Sequence, residues 1–168
     1  ISNTEIWTLV EDSVFTISDT VLANNPGLDI RVAGNGTVTG GEDTAGGALM
    51  TSAMSIKASA AGNLKIVGSS GDDSFTFYAT ESLTADDTID GNAGTDTIYI
   101  VNDDDLNAVG DATTAAIDGD VSGIKSITIT DAATDNNAGD VTITIANGYT
   151  DTSLTVDATA LDLNAVTL

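Results

Sequence analysis

The 168-residue chain has no histidine, no cysteine, four basic residues and one proline. Each absence excludes something. Without thiolate or imidazole there is no structural zinc site of the usual kind and no Cys–His or Ser–His nucleophile pair. No disulfide forms, which by itself does not assign a compartment. Arg31, Lys57, Lys65 and Lys125 are too few and too scattered to track phosphates, so no nucleic-acid partner is expected. An anionic membrane surface is disfavoured for the same reason. No run of about 18 apolar residues occurs, so no transmembrane segment is expected. The chain has no initiator Met and no basic-then-apolar leader, and it starts inside a strand-like pattern. It reads as a mature form or an excised piece of a longer protein.

What is present is acid of one kind. The formal net charge is -22, and 22 of the 26 acidic residues are Asp. Asp bonds nearby backbone and favours turns, whereas Glu suits exposed helix faces. The acidity is therefore placed at chain reversals. High charge alone signals disorder, but Val, Ile, Leu and Phe number 41, about 24% of the chain, above the roughly 20% level at which charged chains read as disordered. Val, Ile and Thr together number 53, and β-branched residues favour strands. The composition predicts a folded, nearly all-β protein.

Period-2 alternation predicts strands over 5–10, 13–17, 28–33, 54–58, 63–67, 74–78, 96–101, 124–130, 141–146 and 153–157, with a last one in 161–168. Gly, Asn and Asp clusters separate them. Residues 40–52 read as a loop, and 102–120 as one or two helical turns around Leu106 and Val109. Short strands turning every dozen or so residues predict a right-handed parallel β-solenoid or β-roll, with a β-sandwich as the alternative for the N-terminal third. One domain is expected over 1–168. A candidate boundary near 60–63 would separate an N-terminal β unit, 1–62, from a calcium-binding roll, 63–168.

Two nonapeptides carry the chemistry. Residues 68–76 (GSSGDDSFT) and 91–99 (GNAGTDTIY) both fit G-x-x-G-x-D-x-U-x, U being a large apolar residue. The calcium-binding form has a second glycine where this chain has Ser69 and Asn92. Glycines permit a tight turn whose carbonyls point at a cation, and the Asp adds a hard charged oxygen toward the six to eight that calcium takes. The apolar residue after it enters the core. The expected ligand set is Gly68, Gly71, Asp72, Asp73, Asp87, Asp90, Gly91, Asn92, Gly94 and Asp96, holding Ca2+. Asp103–Asp105 reads as a solvated acidic loop. The two motifs start 23 residues apart rather than the 18 of directly stacked repeats, so simple sharing of an ion is not expected.

With these residues, 68–101 resembles the repeats-in-toxin type segments of secreted bacterial surface-layer proteins and giant adhesins. Residues 120–130 resemble the strand that follows in such chains, and 140–168 their later coils. The resemblance implies a calcium-stabilised roll or solenoid, exported without a cleaved N-terminal signal and built into a lattice, fibre or adhesin stalk. The expected function is a structural, self-assembling module at the cell surface. The alternative is a ligand-binding adhesin module, taking a glycan or cell-surface partner, or ice through Thr-x-Thr ranks at Thr128/Thr130, Thr142/Thr144 and Thr152/Thr155. Paired carboxylates serve glycosidases, but the cations are too sparse for a polysaccharide-cleaving cleft and no enzyme is expected. Trp7 reads as core or interface.

Overall fold

The computed structural model describes residues 6–10, 12–25, 28–32, 35–40, 50–58, 62–78, 83–102, 113–131, 141–146, 149, 153–160 and 166–167. The strands are β1 (Ile6–Leu9), β2 (Val14–Ile17), β3 (Asp29–Val32), β4 (Thr37–Gly40), β5 (Ser55–Ala58), β6 (Lys65–Val67), β7 (Ser74–Tyr78) and β8 (Thr88–Asp90). They continue as β9 (Asp96–Asn102), β10 (Thr113–Ile117), β11 (Val121–Ser122), β12 (Ile124–Asp131), β13 (Val141–Ile145), β14 (Thr155–Ala160) and β15 (Val166–Thr167). One short helix, α1 (Asp19–Asn24), joins β2 to β3.

The chain winds as a parallel β-solenoid. A seven-stranded sheet runs β1-β3-β5-β7-β9-β12-β14 and a five-stranded sheet β2-β4-β6-β8-β11. A third sheet, β10-β13-β15, joins in the later coils. Every pairing is parallel, and strands alternate between the first two sheets over most of the chain. The N-terminal third is part of this winding: β1 pairs β3 and β2 pairs β4 in parallel, which corrects the sandwich alternative.

Parallel sheets usually read as continuous apolar runs because both faces are covered. Here only the inner face is covered, so alternation survives, as in β7, where Phe75 and Phe77 are buried between half-exposed neighbours. In-register stacking turns it into columns. Trp7, Ile30, Ile56, Phe75, Ile98, Ile127 and Val156 pair in succession inside the first sheet. Phe15, Val38, Ile66, Ile89 and Val121 form the facing column. Each fully buried Ile or Phe contributes about 1.5–3 kcal/mol relative to exposure. Trp7 and Phe15 meet edge to face, their centroids 5.2 Å apart, and both are half-buried.

Several short elements were not legible. No element was expected at α1, although Ser18, whose side chain accepts from the Val21 N–H, is an ordinary N-cap signal. Gly40, placed in a loop, ends β4, and 41–49 lie outside the described residues. The helical turns expected around Leu106 and Val109, and Asp103–Asp105, lie outside the described residues; within 102–120 the described Thr113–Ile117 form β10, a strand that was not expected. Thr113 and Thr114 carry the β-propensity that this reading passed over. The Thr ranks do not form one face: Thr128 and Thr130 lie in the seven-stranded sheet and Thr142 and Thr144 in the three-stranded one. Thr128 pairs with Tyr99 and Asp157, and Thr152 lies outside the described residues.

Candidate functional site: the aspartate corners

The two motifs stack directly, in register, with a 23-residue coil between them. Ser74 pairs Thr97 and Phe75 pairs Ile98, and the Thr97 N–H donates to the Asp73 carbonyl at 2.9 Å. Asp73 and Asp96 thus occupy one column, between Met54 before them and Ile124 after. Stacking at 18 is not required: a coil of 23 residues brings the two motifs into register.

Both motif acids are buried, and each reaches back one coil. Asp73 Oδ1 accepts the Met54 N–H at 2.7 Å, and Asp96 Oδ1 accepts the Asp73 N–H at 2.8 Å. Asp87 does the same on the other sheet, accepting the Leu64 N–H at 2.7 Å. Its Oδ2 takes the Thr84 N–H at 2.7 Å and the Thr84 hydroxyl at 3.1 Å. Asp73 Oδ2 takes the Ser69 N–H at 2.6 Å, and the Ser69 hydroxyl donates to Oδ1 at 2.9 Å. These corners are staples. A coil corner leaves a backbone N–H without a ladder partner, and an Asp before the next strand supplies the acceptor.

The glycines follow from the same packing. A Cβ on Gly68 would fall on Asp73 Oδ2, and one on Gly91 would lie 2.7 Å from Asp96 Oδ2. These two glycines make room for the carboxylate five residues on. Gly94 has φ +118, and its Cβ would run into the Gly71 carbonyl, so the motifs' second conserved-spacing glycines are pressed together across coils. Ser69 and Asn92, the departures from the double-glycine form, have their own uses. Ser69 completes the Asp73 cage and its hydroxyl accepts the Gly71 N–H. Asn92 takes the left-handed φ of 62 that a glycine would otherwise supply, and its amide donates to the Gly68 carbonyl at 2.8 Å.

The remaining expected residues lie nearer the surface. Asp72 is exposed, and its Oδ1 accepts the Thr95 N–H of the next coil at 2.7 Å. Asp90 is half-buried and accepts the Asn92 N–H at 3.0 Å. Sequence reasoning did not single out Asp29, which is buried on the first sheet. Its Oδ2 holds Lys57 at 2.9 Å and Arg31 at 3.3 Å, two basic residues that pair across β3 and β5. Burial pushes its carboxyl up, and the two cations more than offset this, leaving it below the usual range.

For a cation the corners are unequal. Both oxygens of Asp73 and of Asp87 already accept donors from the chain itself. Among the described residues no group of three or more acids converges as a ready-made metal cage. Asp96 is the exception, being fully buried with an Oδ2 that has no hydrogen-bond partner. Burial raises its pKa to about 6; the Asp73 N–H bond and Lys125 oppose the rise, and the charges of Asp73 and Asp72 add to it. Asp73 is also pushed up by burial, against the bonds from Met54 and Ser69. A hard cation at Asp96 Oδ2 would find one unspent oxygen with two further carboxylates nearby, a partial fit to calcium.

Comparison with protein-family models, with curated protein sequences and with solved structures found no match to this chain.

Proposed function

We propose that the chain is a structural module of a secreted bacterial surface layer, fibre or adhesin, assembled in copies at the cell surface and stabilised by calcium. The carrying observation is the pair of strand edges at β1 and β2. Among the described residues β1 and β2 are each paired on one side only. Three of the four exposed large apolar side chains among the described residues, Ile6, Val10 and Val14, lie in or beside them. An unpaired strand edge is a template for another chain, and solenoid coils stack on their neighbours. Repeated end-to-end addition gives a fibre when the rotation does not close.

Calcium enters the proposal at the second motif. Asp96 would hold it through Oδ2, with Asp72 and Asp73 as neighbouring charge. A net charge of -22 repels itself within the compact body, and a cation that binds only the folded form offsets that by mass action. Asp73 and Asp87 act as backbone acceptors in this reading and need no ion.

The test is a calcium titration of the 168-residue chain followed by circular dichroism melting and light scattering together. The expected result is a rise in melting temperature over the chelated protein and growth in particle mass. Val14→Lys, at an exposed position on β2, is expected to block growth while leaving melting nearly unchanged. A chain that stays monomeric at every calcium level refutes the assembly, and identical melting in chelator and in calcium refutes the ion.

A further inference from the structure

We infer that the groove between α1 and the first motif corner binds a single neutral sugar ring, without calcium. The groove encloses about 390 Å³, within the roughly 300–1,000 Å³ typical of small-ligand sites. Its floor is apolar, built from Leu22 on α1 and from Leu28 and Met54, both buried in the core. Its rim is polar: Asn25, Ser55, Asp72 and Ser74.

The walls are held before any ligand arrives. Asp19 at the start of α1 accepts the Ser52 N–H at 2.8 Å and the Thr51 N–H at 3.2 Å, tying the helix to the segment before β5. At the other end the Asn25 N–H donates to the Val21 and Leu22 carbonyls, and its amide donates to Val21. Ser55 and Ser74 pair in register on adjacent strands, so their hydroxyls stand one strand spacing apart. A preformed site loses less to ordering on binding.

The unspent polar atoms select the ligand. Asp72 uses one oxygen on Thr95, and the other has no donor among the described residues. Asn25 donates its amide inward, leaving its side-chain oxygen as an acceptor. The Ser55 hydroxyl makes no hydrogen bond among the described residues, and that of Ser74 makes only a long one, 3.4 Å, to Met54. Two acceptors and two hydroxyls call for a ligand rich in O–H donors. No lysine or arginine lines the groove, which disfavours phosphates and carboxylates. A pyranose has both halves of the match: hydroxyls along its edge, and a C–H face to lie on Leu22 and the exposed Ala23 and Ala53. A ligand of about a dozen heavy atoms is held at the millimolar level.

This inference is independent of the assembly reading and stands or falls by itself. The experiment titrates the 15N-labelled 168-residue chain, in chelator, with the methyl glycosides of glucose, galactose and mannose, with glycerol as a control. The expected result is saturable amide shifts from at least one glycoside, centred on α1, Ser55 and Ser74, with glycerol giving none. Ser55→Ala, at an exposed position, and Asp72→Asn are each expected to weaken binding about tenfold or more while melting stays close to the parent. No saturable shift with any glycoside, equal shifts with glycerol, or binding unchanged in both variants overturns the inference.

Discussion

The buried carboxylate of Asp96 makes a prediction that separates it from the general acidity of the chain. Its pKa is raised to about 6 in the fold, against about 3.9 in an unfolded chain. A carboxyl raised on folding favours the folded state when protonated. That contribution is complete below the unfolded value and is lost as pH rises through the folded one. Two pKa units at 1.36 kcal/mol each make the full span about 3 kcal/mol. Lowering the pH from 7.5 to 5 recovers roughly half of it, which for a chain of this size raises Tm by roughly 3–6 °C. The assay is thermal unfolding by circular dichroism between pH 5 and 8 in chelator. Reduced self-repulsion acts in the same direction, so the diagnostic is Asp96→Asn. This variant keeps an acceptor for the Asp73 N–H and removes the titration. Its melting curve is expected to be flatter with pH than the parent's. Parallel pH profiles for parent and variant would refute the account of Asp96. Under the calcium proposal, saturating calcium abolishes the acid gain, because the ion favours the ionised form.

Other perturbations follow from the corner geometry. Gly68→Ala drives a methyl into Asp73 Oδ2 and to 2.9 Å from the Gly91 carbonyl oxygen. It is expected to cost about 1–3 kcal/mol in urea unfolding, whereas a conformationally tolerant turn would lose little. Asp87→Ala leaves the Leu64 and Thr84 N–H groups without their acceptor. A loss of about 2–4 kcal/mol is expected by the same assay, with Asp87→Asn losing less. Because the Thr pairs fall on different sheets, freezing-hysteresis measurements are expected to give no ice-binding signal.

Much of the winding was legible because a strand's period of two is local. Phe75 after Asp73, and Ile98 after Asp96, announce where the chain turns inward. α1, β8 and β11 were missed for the complementary reason: six, three and two residues are too few for periodicity to register. The positions of Asp73, Asp87 and Asp96 at turns before strands were legible, but their hydrogen-bond partners were not. Whether an Asp at such a corner faces a cation or a backbone N–H depends on what the previous coil brings opposite it. Met54, Leu64 and the N–H of Asp73 bring donors.

The sequence by itself determined an all-β chain, its inward residues and an acidity concentrated in turns, because side-chain alternation and Asp/Gly turn chemistry act over a few neighbours. The parallel solenoid expected from the short strands is the fold observed, and the tertiary structure alone decided which strands pair, about two dozen residues apart, and in what register. It also decided that Gly68 and Gly91 make room for a carboxylate, and that of the three corner acids, Asp73, Asp87 and Asp96, only Asp96 keeps an unspent oxygen. Those outcomes depend on contact between successive coils, which no short stretch of sequence contains.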